Sequence, residues 1–349
     1  MQSVRANRSG FNGQSALITG GSGFIGSHLS EELLDAGYRV TTIDDLSTGR
    51  QKNISHLIGR PGFQFVIDSI NNEIVMDRLV SECDVIFHMA AAVGVQLIVN
   101  DPVRVIETNV LGTHAVLKAA NRYRRKVLIA STSEIYGKNA QVPFSEGADR
   151  LLGPTTMSRW SYSSSKAVDE FLGLAYYHQM ELPVIIFRLF NTVGPKQSGQ
   201  YGMVVPRFAQ QALWREPLTV YGDGTQTRCF CDVRDTIRGI VGLSECPEAV
   251  GQVFNIGATN EISILDLARQ VIQTVEAVNG PFAVPLSESE SLKYVPYHEA
   301  YGSDFEDMLR RVPDIAKIHQ LIGWEPRLTL NQTLRDIVAE LTEDNSSKD

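Results

Sequence analysis

The chain has 349 residues, is 43% hydrophobic and 21% charged, and carries a formal net charge of −8, an ordinary composition for a globular protein. The negative balance gives no support to nucleic-acid or anionic-membrane binding, and no run of about 18 apolar residues marks a transmembrane helix. Four cysteines at 83, 229, 231 and 246 form no C-x-x-C pair and no set with His at ligand spacing, so no metal site is expected and buried free thiols of a cytoplasmic protein are.

The polar opening, residues 1–14, lacks the apolar centre of a signal peptide. The first element is a short apolar run, Ala16-Leu17-Ile18, of strand type. Gly20, Gly23 and Gly26 follow with G-x-x-G-x-x-G spacing. Leu29, Leu33, Leu34 and Ala36 then repeat at helical intervals. Glycines at a strand-to-helix turn are the context that gives this motif its meaning. They permit a tight turn and close approach of a pyrophosphate, and the helix N-terminus offers free N–H groups. A second strand, Arg39 to Ile43, ends at Asp44, near the usual place of a carboxylate that bonds the ribose 2′-hydroxyl. A Gly-rich turn without a ligand is the plainer alternative.

Phe63 to Ile67 reads as a third strand, followed by Asp68, Ser69 and Ile70. Asn72 to Ser81 is a short helix and Val85 to Met89 a fourth strand. The small residues Ala90 to Ala92 leave room for a ligand at its end. Pro102 to Asn121 is a long helix, with Val105, Ile106, Val110, Ala115, Val116 and Ala119 as its apolar stripe. Lys126 to Ala130 is a fifth strand, Tyr162 to Met180 a second long helix, and Val184 to Phe190 a sixth strand. This alternation predicts an α/β fold, a Rossmann-type doubly wound parallel sheet. Ligands of such sheets bind outside the carboxyl ends of the strands. Asp44, Asp68, the stretch from Ser131 to Glu134, and Asn191 all fall there.

After about residue 195 the rhythm changes. We read 12–193 as a dinucleotide-binding domain and 194–345 as a smaller α/β part that binds substrate, with some segments returning to the first. Ser287 to Ser303 reads as an irregular aromatic loop over a cleft. Glu343 to Asp349 reads as a frayed tail.

Chemistry concentrates in two stretches. In Ser131-Thr132-Ser133-Glu134-Ile135-Tyr136-Gly137, an extended backbone would point Thr132 and Glu134 the same way. In Tyr162-Ser163-Ser164-Ser165-Lys166, Tyr162 and Lys166 share a helix face. An ammonium near a phenol lowers its pKa, and a phenol so tuned acts as a base near neutral pH. Alone, a Y-x-x-x-K pair is an ordinary surface pair.

Taken together, these stretches resemble the extended short-chain dehydrogenase/reductase family that modifies nucleotide sugars. The resemblance runs from about Gln14 to Ile337. It includes GGSGFIG, Asp44, HMAAA (His88 to Ala92), Asn109, STSEIYG, YSSSK, FNTVGP (Phe190 to Pro195) and YGDGTQTRCFCDVRD (Tyr221 to Asp235). It implies bound NAD and transient oxidation of C4 of a nucleotide-linked sugar. Tyr162 would take the hydroxyl proton, assisted by Lys166 and Thr132. The cofactor would lie on Gly20, Gly23, Phe24, Ile25, Gly26, Asp44, Asp68, Ser69, Ile70, Ala90, Tyr162 and Lys166. Asn191, Val205, Tyr221, Arg228, Arg311 and Arg159 would hold the nucleotide sugar. The two long helices would form a homodimer interface.

Thr-Ser-Glu at 132–134 is similar to UDP-glucuronic acid decarboxylases and to GDP-mannose dehydratases. GPTTMSRWSYSSSK (Gly153 to Lys166), QTRCFCD around Arg228 and RRVPDI around Arg311 are decarboxylase-like. HMAAAVGVQLIVNDP (His88 to Pro102) is more like the 4-epimerases. The reaction expected is decarboxylation of UDP-glucuronic acid to UDP-xylose, with Glu134 as an acid/base group and Arg228 binding charge or delivering a proton. The alternatives are a 4-epimerase of UDP-glucose or UDP-glucuronate, a 4,6-dehydratase, and a non-catalytic dinucleotide-binding protein.

Overall fold

The structure is a computed structural model and describes residues 11–200, 202–280, 288–301, 306 and 308–346. Seven parallel strands form one sheet. In chain order they are β1 (Ser15–Thr19), β2 (Arg39–Asp44), β3 (Phe63–Ile67), β4 (Val85–His88), β5 (Lys126–Thr132) and β6 (Val184–Leu189), and, after four short strands outside the sheet, β11 (Val253–Ile256). The order across the sheet is β11-β6-β5-β4-β1-β2-β3. The α/β doubly wound sheet expected from the alternation is present.

The central strands β1, β4, β5 and β6 are short apolar runs because both faces are covered. Successive residues supply opposite faces, as the pleat requires. Ala16 and Ile18 pack with Phe87, Leu128, Ile185 and Phe187 on one side. Leu17 packs with Ile86, Val127, Ile129, Val184 and Ile186 on the other. On the first face lie α1 (Phe24–Asp35) and α8 (Val233–Glu245). On the second lie α2 (Glu73–Ser81), α5 (Gly112–Tyr123) and α6 (Arg159–Met180). The chain runs outward from β1 to β3, then returns to β4 on the other side of β1. That reversal opens a crevice at the carboxyl ends of β1 and β4.

The long helix expected over 102–121 is present and continuous from Pro102 to Tyr123, with a π-turn inside it. After α3 (Val95–Asn100) come α4 (Pro102–Ile106), a π-turn (Glu107–Leu111) and α5. A π-turn inserts a residue into the helix and re-aims its neighbours. Here it turns Asn109 inward, where it is buried. The second long helix begins at Arg159, three residues earlier than the pattern suggested.

Beyond β6, β7 (Thr192–Val193) pairs with β10 (Cys231–Asp232), and β8 (Leu218–Tyr221) and β9 (Thr227–Cys229) pair with later strands. A separate core gathers α7 (Val204–Leu213), β8, α9 (Ile264–Asn279) and α13 (Leu330–Ser346). By contrast β11 joins the large sheet, and α8 and α12 (Ala316–Ile322) pack on it. The remaining strand between β11 and α9 is β12 (Glu261–Ser263), which pairs antiparallel with β9.

Two sequence expectations need correcting. The 287–303 stretch is not an irregular loop where described. It forms α10 (Glu288–Ser291), β13 (Leu292–Val295) and α11 (Tyr297–Tyr301), because β13 adds in parallel to β8. Ser287 itself, 302 and 303 lie outside the described residues. The tail is helical to Ser346, because α13 packs Leu334, Ile337 and Val338 into the second core; 347–349 lie outside the described residues.

Candidate active site

The glycine turn is built by close approach. Gly20 has φ +69°, and a Cβ there would lie 2.8 Å from the backbone of Ala90 at the end of β4. A Cβ on Gly26 would lie 2.2 Å from the Gly20 carbonyl oxygen. Any side chain would push apart the turn, the helix and the neighbouring strand end. No side chain caps the N-terminus of α1 at Gly23, so its first N–H groups are left for a ligand.

At the end of β2, Asp44 Oδ2 accepts Ser22 N–H at 3.0 Å and Oδ1 accepts Leu46 N–H at 2.8 Å. Its carboxylate stays on the cavity wall with spare acceptor capacity. Asp68, Ser69 and Ile70 follow β3 on the same wall. An acceptor-only carboxylate suits a free ribose diol and repels a 2′-phosphate. Arg50, the nearby base, donates to Ser198 Oγ at 2.7 Å. These residues therefore fit NAD. Asp44→Ala is expected to weaken NAD binding by about 1.5–3 kcal/mol, the contribution of a charged hydrogen bond. Isothermal titration checks this, and an unchanged affinity removes Asp44 from the site.

One cavity of about 480 Å³ carries every residue the sequence singled out: the glycine turn, Asp44, Asp68 to Ile70, Ala90, Thr132, Glu134, Arg159, Tyr162, Lys166, Asn191, Val205, Tyr221, Arg228 and Arg311. Val95 and Ile98 of the epimerase-like segment also face it. Tyr162 is buried at the start of α6 and hydrogen-bonds the Thr132 hydroxyl. Ser163 Oγ donates to the Glu134 carbonyl at 2.8 Å, tying α6 to the end of β5. Asn109 Oδ1 accepts Ala92 N–H at 2.9 Å, and its Nδ2 donates to Ser165 Oγ at 3.1 Å. The π-turn thus ties the segment after β4 to α6.

The Thr132–Glu134 stretch is not extended. Ser133–Tyr136 forms a 3₁₀ turn, and Thr132 caps it by accepting Glu134 N–H at 3.2 Å. Both side chains still reach the cavity.

Glu134 is clamped. Arg159 Nη2 and Arg311 Nη1 donate to its Oε1 at 2.8 and 2.9 Å, and Arg159 Nη1 stands 2.5 Å from Oε2. Arg311 Nη2 donates to Ser133 Oγ at 2.6 Å. Burial pushes the carboxyl pKa up, but Arg159 and then Arg311 outweigh it and hold the group down at about 2. A carboxyl so acidic is a poor proton donor and a weak base near neutral pH. In this geometry Glu134 is an anion shared by two arginines, which speaks against the acid/base role expected of it.

The lowered phenol pKa expected for Tyr162 is also corrected. Burial, with the Glu134 carboxylate second, pushes it above the usual range. Lys166 does not offset this, because its Nζ donates to Asp169 Oδ2 at 2.6 Å.

On the far side, Asn191 Nδ2 donates to the Cys229 carbonyl at 3.1 Å. Arg228 Nη1 donates to the Thr227 and Leu309 carbonyls at 2.8 and 3.3 Å. The Arg207 guanidinium lies 4.2 Å from the centroid of the Tyr221 ring, within reach for a cation–π contact. Beyond the cofactor end, the cavity wall carries Arg159, Arg207, Arg228, Arg311 and Lys196 against Glu134. Such a wall attracts an anionic substrate.

Sequence reasoning gave no role to Ser133, Asp169 or Arg207. Asp169 had a signal, its spacing of three from Lys166. Arg207 had none. The thiols of Cys83, Cys229 and Cys231 are buried and pushed up to about 12, chiefly by burial, which leaves them protonated and unreactive. Among the described residues no group of His, Cys, Asp or Glu is arranged to hold a metal, and no helix is long and apolar enough to cross a membrane.

A family model described as GDP-mannose 4,6 dehydratase matches residues 17–337. A UDP-N-acetyl-α-D-glucosaminuronate decarboxylase of Bacillus cytotoxicus is 39% identical over 92% of this chain and 96% of its own length. UDP-glucuronic acid decarboxylase 1 of Xenopus tropicalis is 37% identical over 92% of this chain and 70% of its own length. Among solved structures, the UDP-glucuronic acid 4-epimerase of Bacillus cereus, in complex with UDP-glucuronic acid and NAD, superposes with a TM-score of 0.81 at 29% identity, covering 94% of this chain and 99% of the epimerase.

Proposed function

The chain belongs to the family described as GDP-mannose 4,6 dehydratase, and from that premise we propose that it is an NAD-dependent decarboxylase of UDP-glucuronic acid, yielding UDP-xylose. The observation that carries this reading is the pair Arg159 and Arg311, buried beside Tyr162 and Thr132. They make a site for a second anion next to the oxidation site.

Tyr162, in its phenolate form, takes the proton of the sugar 4-hydroxyl, with Thr132 hydrogen-bonded to the same oxygen. NAD, when bound, supplies the hydride acceptor for this oxidation and returns the hydride at the end. Oxidation at C4 leaves the C5 carboxylate β to a ketone. Breaking the C5–carboxyl bond releases CO₂ and puts negative charge on the C4 oxygen, where Tyr162 and Thr132 donate to it; C5 then takes a proton from water, which restores the 4-ketone before it is reduced. Arg159 and Arg311 hold the carboxylate before it leaves, and Ser133 fixes Arg311. Arg228 and Asn191 face the diphosphate, and Val205 and Tyr221 the uracil. The glycine turn takes the NAD pyrophosphate, Asp44 its ribose, and Asp68 to Ile70 its adenine end.

The working form we propose is a cytoplasmic homodimer. Val103, Ile106 and Leu111 beside α6, and Val168 and Phe171 on it, are apolar and exposed, Phe171 by 66%, more than isolated surface residues explain. Phe171→Glu is expected to convert a dimer into a monomer in light scattering. A wild-type monomer, or a variant that stays dimeric, rejects this interface.

The test of the reaction is a mass-spectrometric panel of UDP-glucuronic acid, UDP-N-acetylglucosaminuronic acid, UDP-glucose, dTDP-glucose and GDP-mannose. Loss of CO₂ from UDP-glucuronic acid supports the proposal. Loss of CO₂ from the N-acetylated sugar alone, the substrate in the name of the 39% identical relative, moves the substrate. Loss of water, or inversion at C4 without mass change, rejects decarboxylation. Inversion is the second reading, favoured by the apolar Val95 and Ile98 of the epimerase-like segment on the cavity wall.

A further inference from the structure

Lys166 and Asp169 are one turn apart in α6, and both are buried. The Asp169 carboxylate is approached from a second direction. The Thr113 hydroxyl of α5 hydrogen-bonds it. Thr113 Oγ1 also lies 3.0 Å from His88 Nε2. His88 Nδ1 lies 2.8 Å from Thr19 Oγ1, which accepts Ala90 N–H at 3.2 Å. Thr19, His88 and Thr113 are all buried.

Counting protons leaves one arrangement for this chain. A carboxylate only accepts, and a threonine hydroxyl has one proton. Thr113 therefore donates to Asp169 and accepts from His88 Nε2–H. Burial, with Lys166 second, pushes the His88 pKa down to about 3, so the ring is neutral and carries one N–H. Its Nδ1 then accepts the proton of Thr19, and Thr19 accepts from Ala90. Every bond points from the floor of the cofactor cleft toward Asp169.

We propose that Asp169 is a positioning residue for Lys166. It holds the ammonium as counter-ion and so governs how much of that charge reaches the Tyr162 phenol, while the Thr113–His88–Thr19 chain holds the carboxylate ionised and in place. This rests on Tyr162 being the base of the function proposed above. The groups facing the phenol are Thr132 and Glu134 from the end of β5, Arg311 ahead of α12, and Lys166 and Asp169 on its own helix. Those facing Asp169 are Lys166 and Glu170 on α6, and Thr113 with His88 behind it. Glu134 and Asp169 raise the phenol pKa, and Arg311 lowers it. Burial pushes Asp169 itself upward against the pull of Lys166. A neutral residue at 169 removes one anion and leaves the lysine charge uncompensated, so both changes favour the phenolate.

The test needs no sugar. NAD-bound protein carrying tyrosine labelled with ¹³C at Cζ is titrated by NMR, with the Tyr162 resonance identified by its loss in Tyr162→Phe. Asp169→Asn is expected to lower the apparent Tyr162 pKa by about one unit. An unchanged or raised pKa in folded Asp169→Asn overturns the proposal, whether or not the enzyme decarboxylates anything. The wild-type protein gives a second reading that no folding defect can spoil. ¹⁵N spectra are expected to show His88 as the Nε2–H tautomer from pH 6 to pH 9, roughly the range in which a strongly depressed imidazole stays neutral. An Nδ1–H tautomer, or a protonated ring, reverses the chain and overturns the proposal.

Discussion

Replacing Tyr162 by Phe is expected to lower turnover by about two to four orders of magnitude, the usual contribution of a positioned general base, with the fold intact. The ring is buried at the start of α6, and Phe keeps its volume and its packing against Ala92, Ile98 and Val105. What disappears is the one hydroxyl that both hydrogen-bonds Thr132 and can receive the sugar proton. Without it, CO₂ loss also loses a donor at the oxygen where charge collects. Absorbance of reduced nicotinamide after mixing with UDP-glucuronic acid reads the oxidation step directly, and product mass reads the whole reaction. The melting temperature should move little, since the change neither opens a cavity nor strands a charge. Near wild-type turnover would exclude Tyr162 as the base.

Six of the seven strands were legible because an apolar stretch gives way to a polar residue at its carboxyl end, as at Thr19 before the glycine turn, Asp44, Asp68 and Asn191; β11, which joins the sheet from the later half of the chain, was not. Runs buried on both faces announce themselves. The site was legible for the same reason, since the reversal of strand order collects strand ends. The π-turn at 107–111 was not legible. The apolar stripe continues through it, and only the inward demand of Asn109 shows why a residue is inserted. The state of the charges was not legible either. Spacing put Lys166 beside Tyr162, but i+3 puts Asp169 there as well, and 2.6 Å decides between them. Glu134 looked like an acid/base group because Thr132 and Glu134 share a motif. Its two partners, Arg159 and Arg311, lie 25 and 177 residues away in sequence, and a pKa follows the partners, not the motif.

Glu134→Gln is expected to reduce decarboxylation at least about a hundredfold, for an electrostatic reason rather than loss of a proton donor. Gln keeps the shape and one acceptor oxygen, but it neutralises the anion that Arg159 and Arg311 share. Each charge-assisted bond contributes about 1.5–3 kcal/mol, and two at the lower figure already amount to about 3 kcal/mol, or two orders of magnitude if the arginines must be ordered in the transition state. The same carboxylate bears on stability, with a definite sign. Its folded pKa lies below its ordinary value of 4.5, at about 2, so its contribution is present above pH 4.5 and is lost as pH falls toward 2. By that shift it is worth about 3 kcal/mol at neutral pH. The variant should therefore melt lower at pH 7, and its melting temperature should fall less than the wild type's on acidification through that window. UDP-glucuronic acid should restore part of the neutral-pH loss, because its carboxylate gives the two arginines an anion again. UDP-glucose should restore less. A stable Glu134→Gln protein with full activity would mean that the arginine pair holds no reacting carboxylate, and would put 4-epimerisation ahead of decarboxylation.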